Sequence, residues 1–241
     1  MEEYLLVLAA AAVPAAANFA GGLVAEFVRV SARTLSLALH LATGIVIAVV
    51  GLELAPEAFA ARPVYLPLVA FVAGAAVFLA IEHVIDTHVA GPAGASGPWS
   101  IFGAVSLDLF SDGVMIGTGT LIDPTLGLLL ALGQAPADLP EGFAAIAAFK
   151  EADGSRMRRL ILTAAFGVPI VAGATIGYWG LRDAPALAQA SVLALTGGTL
   201  LAIVTEEVVP QAHAAPDSRV AAGAVVGGFA LFALISVLLG G

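Results

Sequence analysis

The chain has 241 residues, of which 60% are hydrophobic and only 11% charged, against about a quarter charged in an ordinary soluble domain, so a lipid bilayer is the expected solvent. The net charge of −9 attracts cations, and no Lys/Arg cluster is large enough for nucleic acid, which is excluded as a partner. With no cysteine, disulfides, thiolate metal sites and cysteine nucleophiles are excluded as well.

Crossing about 30 Å of hydrocarbon takes about 20 helical residues, and eight segments reach that length, at 4–28, 35–55, 64–85, 98–119, 125–149, 157–180, 187–209 and 218–240. The expected fold is therefore all-α, a polytopic membrane protein with one transmembrane domain over residues 1–241. The first run follows Met-Glu-Glu-Tyr without a positive n-region and reads as a permanent span rather than a cleavable signal peptide. In span two, His40 reads as a satisfied polar residue at a helix–helix contact rather than a ligand. Glu82, His83 and Asp86 gather at the end of span three, with His88 just beyond; they form either an accessory metal-collecting group or a solvated helix end.

Span four contains Asp108-Leu-Phe-Ser-Asp112-Gly-Val-Met-Ile-Gly117. Asp108 and Asp112 are four apart and share one helix face, where like charges repel unless a proton or a cation joins them. A carboxylate in mid-span costs about 2.5–3.5 kcal/mol to insert and is by default a functional-site candidate. Gly113 and Gly117 have the spacing that admits a close helix neighbour. Span five carries Asp138-Leu-Pro-Glu141-Gly-Phe-Ala144, again with two acids on one face. Pro136 and Pro140 have no N–H, so the carbonyls of Leu132 and Pro136 lose their helical donors, and a helix broken here would offer an oxygen-rich cation site. The alternative is a Pro-kinked helix whose acids face a turn. Acids interrupt both spans, so a plain hydropathy window is expected to undercount them.

In span six, the small-residue frame from Gly167 to Gly177 fits packing within one protomer or between the two copies of a homodimer. Span seven ends with Glu206 and Glu207, about 100° apart on a helix, so one can face the centre while the other is interfacial. A repeat is legible across the chain. Gly44 to Ala60, with Glu53 and Pro56, aligns without gaps on Gly198 to Ala214, with Glu207 and Pro210. The reading is three spans, a central pair and three spans, the outer triplets forming an inverted repeat; two similar helix ends are the alternative. Arg29, Arg33, Lys150, Arg156, Arg158, Arg159 and Arg219 fall on one side of the spans and only Arg62 and Arg182 on the other, which places both termini outside the cytoplasm. The plasma (inner) membrane is the expected location.

These stretches together resemble the ZIP (Zrt/Irt-like) family of divalent-metal transporters. Phe110-Ser-Asp112-Gly-Val-Met-Ile-Gly117 is similar to the family's span-four motif, Leu139-Pro-Glu141-Gly-Phe-Ala144 to its Pro-Glu-Gly stretch in span five, and Glu206-Glu207-x-x-Pro210 to the acidic end of span seven. The resemblance implies eight spans in a 3+2+3 arrangement and a binuclear metal site. One metal would take Asp108, Asp112 and Glu141. The second would take Asp112, Asp138, Glu141 and one of Glu206 and Glu207. Glu53, Gln134, His83, Asp86 and His88 are accessory candidates. Asp108 and Leu109 stand where the family has His-Asn, and Ala137 replaces a further ligand, so the implied set is all oxygen. It suits manganese, magnesium or ferrous iron more than the usual histidine-containing set does, and zinc remains in play. The implied function is movement of such an ion toward the cytoplasm, with the metal as substrate, no organic cofactor and no enzymatic activity. A metal-dependent intramembrane enzyme, a cation exporter and a non-transporting metal sensor are the competing readings. No His-Glu-x-x-His signature supports the enzyme.

Overall fold

A computed structural model of the chain describes residues 1–88, 98–152, 155–213 and 219–240, with the backbone alone at 85–88, 100 and 240. Among these residues the fold is wholly helical, in eight rods: α1 Glu2–Phe27, α2 Ala32–Ala60, α3 Tyr65–His88, α4 Pro98–Ile122, α5 Pro124–Glu151, α6 Arg156–Leu181, α7 Ala186–Ala212 and α8 Arg219–Gly240. Short polar side chains start three of them by accepting the first free N–H groups. Ser31 accepts from Thr34, Asp123 from Thr125 and Leu126, and Ser155 from Arg158.

Seven rods are long and apolar enough to cross a membrane by length and composition. The exception is α5, which contains Asp138, Glu141, Lys150 and Glu151. The expected masking by acids thus holds for α5 but not for α4. Large apolar side chains such as Val69, Val72, Val168, Val226 and Val237 are exposed on the rods, a surface suited to lipid. Tyr4, Tyr178, Trp179 and Arg182 cluster at one end and Trp99, Phe102, Phe149 and Arg158 at the other, resembling aromatic belts.

Packing does not follow chain order. α1 packs on α5 and α6, and α6 on α4, whereas α2 packs on α8 and α3 on α7. Two cores result. One gathers α1, α4, α5 and α6 around Leu109, Ile146, Phe166 and Tyr178; the other gathers α2, α3, α7 and α8 around Leu39, Leu54, Phe78 and Phe232 and also takes Met115 and Leu130 from the central hairpin.

Glycine makes the closest crossings, because an added Cβ would overlap the neighbouring backbone. Gly44 meets the Val225 carbonyl and Gly198 the Phe71 carbonyl; Gly74 meets that of Leu195 and Gly228 that of Leu41. Gly113 and Gly117 of α4 meet Ile170 and Ala174 of α6, and Gly173 and Gly177 answer from α6 against Phe110 and Val114. The α6 frame is therefore used inside the protomer, while Gly167 borders open space.

Several sequence boundaries move outward. α2 continues past residue 55 through Pro56 to Ala60, and α3 includes His88 instead of ending before it. α5 also runs unbroken through Pro136 and Pro140, contrary to the expected broken helix, since the crowding of α1, α2 and α4 around it holds the axis. The donor-free carbonyls remain, because proline has no N–H. Two π-helical turns interrupt the rods instead, at Val49–Leu54 in α2 and Val204–Val208 in α7.

Candidate metal centre

The central hairpin of α4 and α5 puts its acids in the protein interior. Asp112 and Asp138 are fully buried, and Asp108 and Glu141 nearly so, at 4% and 8% exposed. The helical spacing read from the sequence accounts for this arrangement: each helix places two acids on one face, and the two faces meet. Asp108, Asp138 and Glu141 each offer a carboxylate oxygen within 4.8 Å of the others'. Asp112, one turn along α4 from Asp108, is held from α5 by Gln134, whose Nε2 donates to Asp112 Oδ1. The charged groups acting on Asp112, Asp138 and Glu141 are one another and Asp108, with no basic side chain among them.

Five oxygens among these groups are left without the partners that burial demands. Asp108 Oδ1, Asp112 Oδ2, both oxygens of Asp138 and Gln134 Oε1 are buried with no hydrogen-bond partner. Burying such groups unpaired costs several kcal/mol each, so the arrangement is stable only around a cation or protons. The hydroxyls nearby are handled differently: Thr118 donates to Val114 O and Thr120 to Ile116 O, each one turn back. The orphaned donors are all oxygen, a set suited to hard divalent cations.

Asn18 of α1 is a residue that the sequence reading missed. It is fully buried, and neither its Oδ1 nor its Nδ2 has a partner. Its side chain lies against Gly142, whose missing Cβ leaves room for the Asn18 carbonyl and amide. Gly142 is one turn from Asp138, so Asn18 borders the same face of α5. The available signal was an amide in the middle of the apolar run Ala15-Ala-Ala-Asn18-Phe-Ala.

Two of the remaining sequence candidates, Glu53 and Glu206, line other cavities. Glu53 accepts from Ser236 and, with Glu57 and Asp123, lines a cavity of about 510 Å³ between α2, α5 and α8. Thr125 N–H donation holds the Asp123 carboxyl below its ordinary range. Glu206 lines a separate groove of about 260 Å³ with Phe71, Ala75 and Leu79 of α3. Glu207 is half-buried in the π turn of α7 and is engaged by neighbours. His83 is exposed at the end of α3, while the side chains of Asp86 and His88 lie outside the described residues.

The family model of the ZIP zinc transporters matches residues 93–236, which takes in both acidic helices and α7. The chain belongs to the ZIP zinc transporter family. No curated protein matches the chain. Members of the family move divalent metals as substrates, so this ZIP protein is a membrane-embedded divalent-metal transporter. Family members are transporters rather than enzymes.

Proposed function

We propose that this ZIP protein carries a manganese-, iron-, magnesium- or zinc-type ion toward the cytoplasm through a site formed by Asp108, Asp112, Asp138 and Glu141. The carboxylates of Asp108, Asp138 and Glu141, gathered within 4.8 Å of one another, and the orphaned oxygens of Asp108, Asp112 and Asp138 carry this reading. Gln134 orients Asp112, and Asn18 adds a neutral oxygen on the α1 side. Glu207, with Glu206 beside it, serves as the next acid along the path on α7, and Glu53 as the acid before it on α2.

Several observations support direction and mechanism. Glu53, Glu57 and Asp123 give one mouth an acidic lining, which draws cations, and seven of the 9 basic residues fall at the other end, the mark of a cytoplasmic face. α5 is then the eighth span, residues 1–92 complete the same unit, and both termini face out of the plasma membrane. The glycine crossings support an inverted repeat: the Gly44–Val225 and Gly198–Phe71 contacts, and likewise Gly74–Leu195 and Gly228–Leu41, exchange under one shift of 154 residues. The π turns of α2 and α7 fall at corresponding places under the same shift. Movement of the α1, α4, α5, α6 bundle against the α2, α3, α7, α8 bundle would expose the site to each side in turn.

The test is flux of zinc, manganese, ferrous iron and magnesium into proteoliposomes. Asp112→Ala and Glu141→Ala are expected to lose flux by about 100-fold or more, on the scale of losing a group that acts at the site, while eluting as folded protein. Wild-type flux from both variants overturns the assignment.

A further inference from the structure

At the end of α2 that carries Arg33, and at the far end of α7, the structure brings together two histidines that share no residue with the acidic centre. His40 is buried, 5% exposed, and His213 is exposed. Their rings lie 4.9 Å apart, centre to centre, at 57°.

The hydrogen bonds set the tautomer of each ring. His40 Nδ1 lies 2.7 Å from the Ser36 carbonyl oxygen, and His213 Nδ1 lies 2.8 Å from that of Val209. A carbonyl oxygen can only accept, so Nδ1 carries the proton in both and the lone pair falls on Nε2. A backbone carbonyl taking Nδ1–H while Nε2 binds the ion is the usual way a metal-ligating histidine is oriented. Ser36 adds a brace: its hydroxyl donates to the Ala212 carbonyl, joining the first turns of α2 to the residue before His213. The spacing also fits. With the ion about 2.0–2.1 Å from each Nε2, the ring centre about 1.1 Å farther and a tetrahedral angle, the centres lie about 5.1 Å apart.

We propose that His40 and His213 form a second divalent-cation site, nitrogen-ligated and completed by water, that takes zinc-class ions and bridges α2 to α7. Its donors are imidazole where those of the α4–α5 centre are carboxylate, so the two sites select differently: zinc, cobalt or nickel at the histidines, and the harder ions at the acids. The site stands apart from the transport reading, since it needs no ion to pass through the acidic centre.

The test uses the full-length protein in detergent, titrated with zinc and manganese by calorimetry and with cobalt by its visible absorption. His213→Gln, at an exposed position, is expected to lose one zinc equivalent or at least tenfold in its affinity, together with the nitrogen-ligand cobalt bands. Ser36→Ala weakens the same zinc step through loss of the brace. The double variant Asp112→Asn/Glu141→Gln keeps the zinc step and the cobalt bands, while manganese binding is unchanged in His213→Gln. Unaltered zinc stoichiometry and cobalt spectrum in both His213→Gln and His40→Gln overturn the proposal. Loss of the zinc step in the acid double variant but not in the histidine variants overturns it too, by assigning that ion to the acidic centre.

Discussion

Glu26, at the protein's edge, and the acids of the α4–α5 hairpin, in its interior, are all shielded from water and oppositely provided for. The Glu26 side chain is 6% exposed, and Arg159 grips both its oxygens, at 2.6 and 2.8 Å. Lys150 donates to the Ala25 and Glu26 carbonyls at the same corner, where a cation suits the end of a helix. Asp108, Asp112, Asp138 and Glu141 instead face one another, and four of their oxygens are orphaned. The chain can therefore neutralise a buried acid with its own arginine, and in the centre it does not. The missing positive charge at the centre must come from outside, which is what a site for a travelling cation requires.

Opposite responses to neutralisation would sharpen the contrast. Asp138→Asn removes one unmatched charge, so it is expected to cut metal flux by about 100-fold or more while raising the melting temperature without metal by a few degrees, as about 1 kcal/mol of repulsion and desolvation is relieved. A fall in melting temperature would mean that the Asp138 oxygens have partners in the resting protein. Glu26→Gln should do the reverse. It leaves Arg159 without its bidentate partner and is expected to cost about 1 kcal/mol, the upper end for a solvent-screened pair, with flux per folded molecule unchanged. Proteoliposome assays normalised to folded protein separate the two effects.

The sequence made the hairpin legible because four acids at helical spacing in apolar runs have few explanations, and the pairing of Asp108 with Asp112 and of Asp138 with Glu141 needs only helix geometry. Gly113 and Gly117 were legible for the same reason. What spacing could not supply was the partner of each helix. That α1 rather than α3 packs on α5 depends on crossings such as Gly142 with Asn18, and nothing local in α1 announces them. The π turns escaped notice because a single extra residue per turn leaves no pattern in composition, although Glu53 and Glu207 mark both places in the repeat.

Asn18 offers a milder break of the comparison, because its amide is orphaned but uncharged. Asn18→Ala is expected to raise KM for metal by about tenfold, the scale of losing a supporting ligand, with kcat and melting temperature near wild type. A fall in kcat at constant KM would place Asn18 in the moving crossing of α1 on α5 instead of in the cation's surroundings.

The smallest effect is expected at Asp123, an acid satisfied by backbone rather than by a cation. It is exposed between α4 and α5 and accepts from Thr125 N–H at 2.6 Å and Leu126 N–H at 3.4 Å, at the helix end whose dipole favours a negative charge. Its carboxyl is held below the ordinary value of 3.8, chiefly by the Thr125 N–H. A carboxyl whose folded pKa is depressed stabilises the protein above its unfolded pKa and loses that contribution as pH falls through the folded value. The difference in melting temperature between wild type and Asp123→Ala should therefore be small and constant above about pH 5 and close progressively below it. Asp123→Asn keeps an acceptor for the cap without the charge, and should sit between the two at neutral pH with no such closure. A gap that persists unchanged below pH 3.8 would mean that the oxygen's geometry, and not its charge, holds the start of α5.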